Sequence, residues 1–223
     1  MKTISISAAA ERSFFGRVFS HLSAALATSG VVAYFLANFY ALVLLKFATG
    51  GGFWVFAIAQ IGIVFYLSAQ IEKISTTTAT ALFYIYAIAT GVNLGTIFFA
   101  FTAASIATTF FVAAGTFAGM AAYGFFTKSD LAPTGRILFG LLWGVILATI
   151  VNIFLQSGFL NFAASLVGVF VFVGLVAYDT QMLKNLAAKN ASEKTAIFGA
   201  LRLYLDFINL FLHLLQFFGR ARD

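Results

Sequence analysis

The chain has 223 residues, of which 62% are hydrophobic and only 9% charged, where a soluble domain carries about 25%. No water-soluble core of this length hides so much apolar surface, so a soluble globular protein is excluded and the chain belongs in a bilayer. The net charge of +6 sits beside apolar runs and reads as a topology signal rather than a nucleic-acid surface, and the absence of cysteine excludes disulfides, thiolate catalysis and cysteine metal sites.

The 29 Phe and 19 Gly suit an all-α polytopic membrane protein, with bulky residues toward lipid and small ones where helices approach. No alternating strands of about ten residues argue for a barrel. At the start, Lys2, Glu11, Arg12 and Arg17 break any apolar run, so no cleaved signal peptide is expected. Phe14, Phe15, Val18, Phe19 and Leu22 recur at helical spacing and predict an amphipathic lead-in over residues 1–21 that lies on the membrane and runs into the first span. A seven-helix domain over 22–219 follows. Its spans are Leu22–Leu45, Phe53–Ala69, Thr80–Phe99, Ile106–Phe126, Ile137–Leu155, Leu160–Leu183 and a last one reaching Phe218, with a short tail at 220–223. Each run is near the ~20 residues needed to cross ~30 Å. A polar loop, Lys184 to Lys194, joins the last two spans. The pairs Gly91/Gly95, Gly115/Gly119 and Gly140/Gly144 predict close helix packing.

With the N-terminus inside, the inner segments hold nine Lys and Arg, and the outer ones hold Lys46, Arg220 and Arg222. This bias places the N-terminus in the cytoplasm and, with seven spans, the C-terminus outside. Arg220 and Arg222 favour instead a re-entrant seventh segment with both termini inside.

Glu11, Glu72, Asp130, Glu193 and Asp223 fall in the tails or between apolar runs. Asp179 and Asp206 alone lie inside spans. An ionisable side chain there costs roughly 2.5–3.5 kcal/mol on insertion scales and marks a functional site by default. In the last segment Arg202, Asp206, Asn209, His213 and Gln216 follow at spacings of four, three, four and three. They form one polar stripe on an apolar helix, which must face the bundle interior or a water-filled path. The last helix is therefore expected to be central, with position 209 turned inward and 210 not. The duller reading is a hydrogen-bonded seam that glues helices. If the last span starts near Ala196, Asp206 lies about 15 Å deep against about 6 Å for Asp179. If instead Arg202 snorkels at the interface, the favoured arrangement, Asp206 comes level with Asp179 near the cytoplasmic end. Two carboxylates side by side in low dielectric cannot both ionise cheaply. They share a proton or, deprotonated, offer a site to a hard cation that takes oxygen ligands, with Asn209 adding a further oxygen. Arg202 and Asp206 stand four residues apart and also can neutralise each other. His21 and His213 fall at opposite ends of their spans, so a histidine metal pair is not expected. No nucleophile–base set, Walker loop or HExxH is present, so an enzyme is not expected.

Four stretches resemble the Bax inhibitor (transmembrane Bax inhibitor motif) family: GVNLGTIFFAFTAASIATTFF, AAYGFFTKSDL, GLVAYDTQML and LYLDFINLFLHLLQFFG. The resemblance covers nearly the whole chain and is most specific in the last two stretches, which hold both acids. It implies a seven-helix fold around a central last helix, a paired-aspartate pH sensor that falls on Asp179 and Asp206, and calcium leak across the membrane. Calcium is then the transported or bound ion, with protons and the lipid bilayer as the other partners. The chain is expected in a bacterial-type inner membrane. Some bacterial relatives are similar in role to modulators of a membrane-anchored AAA protease, which makes a regulatory binding partner the alternative function. The second span carries only Gln60 where a gating arginine is implied, which leaves Arg202 as the basic candidate near the pair.

Overall fold

The structure, a computed structural model, describes residues 7–221. Lys2, Arg222 and Asp223 lie outside the described residues. The described chain forms α1 Ala8–Phe39, α2 Ala41–Thr49, α3 Gly52–Gln70, α4 Thr76–Gly95, α5 Ile97–Ala100, α6 Ala103–Phe126, α7 Ala132–Leu155, α8 Gly158–Lys189 and α9 Glu193–Phe218. Seven helical stretches, with α4 and α5 taken as one, are long and apolar enough to cross a membrane. Among the described residues the only β feature is an isolated bridge between Phe101 and Ala221. The all-α, seven-span architecture expected from the sequence is the one observed.

Local chemistry sets the helix ends. Ser7, Ser75 and Thr102 stand in extended backbone, and their hydroxyls accept from the N–H groups of Ala10, Thr78 and Ser105, which serves orphan donors of the first turn. Pro133 occupies the first turn of α7, where its missing N–H costs nothing. Gln156, at φ 47°, closes α7 in the left-handed region, and the Asn152 side chain accepts the next N–H, from Ser157, at 2.9 Å.

Three expectations need correction. The amphipathic lead-in runs into the first span as expected, α1 being unbroken from Ala8 to Phe39, but its apolar face is not on the membrane. Its Phe14, Phe15, Val18 and Leu22 are at most 5% exposed, so that face packs on protein instead of lying on lipid. Most of the loop drawn at Lys184–Lys194 is helix, since α8 continues to Lys189 and α9 starts at Glu193. Leu183 and Ala187 are buried on one side of it while Asn185 and Lys189 are exposed on the other, so its polar residues belong to a helix and not to a loop. Finally, Leu210 is fully buried, which overturns the view that position 210 turns away from the interior. α9 is covered on nearly all sides: 72% of its apolar window is buried, against 6–39% in the other spans. That makes it the core helix the sequence required.

Where the sequence reads as one domain over 22–219, the backbone groups into two compact units. The first is Met1–Ala100 with Leu186–Tyr204, and the second is Phe101–Asn185 with Leu205–Asp223.

In the first unit α1 packs closely on α4. A Cβ on Gly91 would lie 2.7 Å from the Val32 Cβ and 2.8 Å from the Ser29 carbonyl, and one on Gly95 would lie 2.9 Å from Leu44. This pair does the packing its spacing predicts. Gly115, Gly119, Gly140 and Gly144 do not, having nothing within 4 Å of an added Cβ. The Ser29 hydroxyl, buried to 1% exposure, lies 2.7 Å from the Ala87 carbonyl and 2.6 Å from the hydroxyl of the fully buried Tyr204. Gln60 on α3 is not isolated either: its carbonyl oxygen accepts from Asn93 at 2.7 Å.

Candidate functional site

Both acids fall in the second unit, whose spans are α6, α7, most of α8 and the second half of α9. α8 meets all three of the others there. Against α6, an added Cβ on Gly124 would collide with the backbone of Ala177. Against α7, the Gly135 backbone lies on the Tyr178 ring and Leu138 fills the space left open at Gly174. Against α9, the Ser165 hydroxyl donates to the Gln216 side chain at 2.8 Å, and His213 lies on Gly168 and stacks on Phe172 at 5.6 Å. Phe110 and Phe117 of α6 meet Phe207 of α9 at 5.4 and 5.6 Å.

Asp179 is 3% exposed and Asp206 5%; neither carboxylate stands without a partner. Their relative height follows from the helix register. Ser165 opposes Gln216, and three residues on, Gly168 opposes His213. Continued, this antiparallel register sets Leu175 opposite Asp206, and Asp179 comes one turn, about 6 Å, further along α8. The helix ends agree. Asp179 lies ten residues from the end of α8 and Asp206 thirteen from the start of α9, about 15 and 20 Å respectively. The two acids are therefore staggered by about a turn instead of level, because α9 starts well before Arg202.

The stretch of α8 around Asp179 is held from both sides. The Gln181 amide accepts from the Leu131 N–H and donates to the Ser129 carbonyl, both at 2.8 Å. Lys184 donates to the Phe125 carbonyl at 2.9 Å and lies 4.6 Å from the centre of that ring. The Asp130 side chain caps the start of α7 at the Ala132 N–H. The two stretches AAYGFFTKSDL and GLVAYDTQML thus fold against each other, and the backbone near Asp179 cannot shift without the α6–α7 connection. Gln181 and Lys184 escaped the sequence reading because their partners are backbone atoms 50 to 59 residues away.

The polar stripe divides. Arg202 belongs to the first unit, where its guanidinium lies 5.9 Å from the Phe198 ring one turn back. Asn209, His213 and Gln216 line a pocket of about 320 Å³ in the second unit with Thr149, Asn152 and Asn161. Among the described residues no group of three or more His, Asp or Glu side chains comes together to hold a metal. A hard cation beside Asp179 or Asp206 would complete its shell with neutral oxygens and water.

A second ionic cluster, in the first unit, was not foreseen. The Glu193 carboxylate at the start of α9 pairs with Arg17 at 3.0 Å and with His21 at 2.8 Å. The other His21 ring nitrogen lies 3.3 Å from the Tyr84 hydroxyl, and Arg17 also donates to the Ala191 carbonyl at 2.7 Å. Glu193 is at the helix N-terminus, where a carboxylate is favoured.

The family model described as inhibitor of apoptosis-promoting Bax1 matches residues 11–223. The chain belongs to the Bax inhibitor family. This Bax inhibitor family chain is similar to the inner membrane protein YbhL of Escherichia coli strain K12, at 44% identity over 95% of this chain and 93% of the relative. It is 41% identical to a protein of Borreliella burgdorferi over 94% and 93% of the two chains. It is 38% identical to protein RP147 of Rickettsia prowazekii over 95% and 91%. Seven apolar helices and membership of the Bax inhibitor family make it an integral membrane protein.

Proposed function

We propose that this protein is a pH-sensitive calcium (cation) leak channel of the bacterial inner membrane, with its N-terminus in the cytoplasm, gated by a proton that Asp179 and Asp206 share. The observation that carries the reading is the burial of two carboxylates, to 3% and 5% exposure, on apolar helices packed within one unit. Staggered by about a turn, ~6 Å along the axis, they are close enough for the charge of one to oppose ionisation of the other. Loss of the shared proton leaves two negative charges that either push α8 and α9 apart or recruit a cation from water. The neighbours of Asp179 are fixed by Gln181 and Lys184, so the repulsion falls on the α8–α9 contact. Similarity to an inner membrane protein supports the location, and the Lys/Arg bias supports the orientation.

The test is calcium uptake into liposomes that contain only this protein, from about pH 5 to 8, where a carboxylate pair in low dielectric exchanges its proton. Asp179→Asn and Asp206→Asn are each expected to flatten the pH dependence, and each single variant to match the double, because the switch needs both partners. A single variant that keeps the parent's pH curve at reduced height refutes the shared-proton mechanism. No uptake by the parent at any pH refutes the channel.

A further inference from the structure

We propose that the pocket between α7, α8 and α9 is a water-filled entrance that delivers hydrated cations to Asp206; this rests on the channel reading above. Its lining carries no charge and sets six polar side chains among apolar ones that include Val145, Ile146, Ile150, Phe172 and Leu212. Thr149 and Asn152 come from α7, Asn161 from α8, and Asn209, His213 and Gln216 from α9. Part of their hydrogen-bonding capacity is used within the protein. The Thr149 hydroxyl donates to the Val145 carbonyl, the Asn152 oxygen accepts from Ser157, the Asn209 amide donates to the Leu205 carbonyl, and the Gln216 oxygen accepts from Ser165. What remains is a mixed set: an acceptor oxygen on Asn209 and lone pairs on Thr149, with amide N–H groups on Asn152 and Gln216. The His213 Nδ1 atom is buried with no hydrogen-bond partner among the described residues. Unpaired polar atoms around a space this large call for water, each molecule held by two to four partners. A naked divalent cation would need carboxylates here and an anion would need a cation; a cation that keeps its water shell needs neither.

The exposure pattern of α9 points the same way. Its apolar residues Phe207, Leu210, Phe211, Leu214 and Leu215 are at most 4% exposed, while Asn209 and His213 are half-buried and Gln216 is exposed. In a helix packed in lipid this is the reverse of the ordinary arrangement. The polar stripe opens onto the pocket beside Leu212, and the five buried apolar residues are covered by other helices. A stripe of amides and an imidazole facing hydrocarbon would be costly, so the cavity holds water. The stripe also has a direction: Asn209 is followed one turn along α9 by Asp206, about 4.5 Å along the axis. His213 narrows the passage. Its ring stacks on Phe172 and occupies the place where a Cβ at Gly168 would stand, 2.5–2.6 Å away.

The chain has no cysteine, so single-cysteine variants report without background. Asn209→Cys and Thr149→Cys line the pocket, and Leu147→Cys, on the exposed apolar face of α7, is the lipid-facing control. In right-side-out membrane vesicles, a positively charged, membrane-impermeant methanethiosulfonate is expected to modify the two lining positions and to leave the control unmodified. In the liposome assay the same modification at Asn209→Cys is expected to cut calcium flux by roughly tenfold or more, because a fixed positive charge in a low-dielectric passage repels the permeating cation. Two lining positions guard against one variant that fails to fold. Lining cysteines that react no faster than the control overturn the water-filled pocket. Complete modification that leaves flux unchanged overturns the entrance while the channel reading stands. A parent protein without flux removes the channel reading and the entrance with it, whatever the labelling shows.

Discussion

Replacing Gly124 by alanine tests whether the contact of α6 with α8 near Asp179 is as close as the backbones indicate. The new Cβ would collide with the Ala177 carbonyl oxygen and lie 2.8 Å from both its carbonyl carbon and its Cα. These are backbone atoms within α8, so no rotamer change relieves the overlap and the helices must separate. Forced overpacking costs about 1–3 kcal/mol, and a collision with backbone belongs at the upper end of that range. The exchange of glycine for alanine inside a helix returns about 0.5–1 kcal/mol. The net expectation is a loss of roughly 2 kcal/mol, which at ~2–4 °C per kcal/mol lowers Tm by about 4–8 °C. Gly115 lies on the same helix with nothing within 4 Å, so Gly115→Ala keeps only the helix gain and raises Tm by about 1–4 °C. Both variants and the parent would be melted in one detergent and followed by loss of the monodisperse species. Shifts of the same sign, or Gly124→Ala melting with the parent, would refute the close contact.

Tyr204→Phe removes one hydroxyl from Ser29, which keeps its bond to the Ala87 carbonyl, so it costs about 1 kcal/mol. Tyr204→Ala empties a fully buried site and costs about 3–5 kcal/mol; equal Tm losses for the two would show that the hydroxyl, not the ring, matters. Gln181→Leu releases both ends of the clamp on Ser129 and Leu131 and is expected to speed tryptic cleavage at Lys128; an unchanged digestion rate counts against the clamp. A reporter active only in the cytoplasm, fused after Asp223, is expected to stay silent, since the charge bias with seven spans puts that end outside. A working reporter would favour the re-entrant last segment.

The spans were legible because length and apolarity are properties of a run of residues and need no partner. The two acids were legible for the same reason: each is the single acid within its apolar run. What the sequence misjudged depended on which side of a helix faces what. Lys184 and Lys189 made a stretch look like loop, although Leu183 and Ala187 on its other side are buried. Glycine spacing identified Gly91 and Gly95 but not Gly124, Gly135 or Gly168, because a four-residue interval says nothing about where the neighbouring helix lies. The stripe on α9 has members that divide between two units, and no spacing announces that. The links from Ser29 to Tyr204 and from Glu193 to Arg17 and His21 join residues far apart in the chain, and nothing local in the sequence marks them.

The tight connection between α7 and α8 also bears on how the chain enters the membrane during synthesis. Only Gln156 and Ser157 separate the two helices, and residues 137–178 carry no charged side chain. As this stretch leaves the ribosome, α7 and α8 can partition into the bilayer together as a helical hairpin. Its tip brings across two side chains and a few backbone groups that Asn152 already satisfies. No ion has to be dehydrated on the way, and the charges that orient the hairpin, Lys128 and Arg136 before it and Lys184 and Lys189 after it, stay on the side from which it entered. A lysine placed at Ser157 would therefore act first on the biogenesis of the protein, by retarding translocation of the tip, before it disturbed any contact in the finished fold.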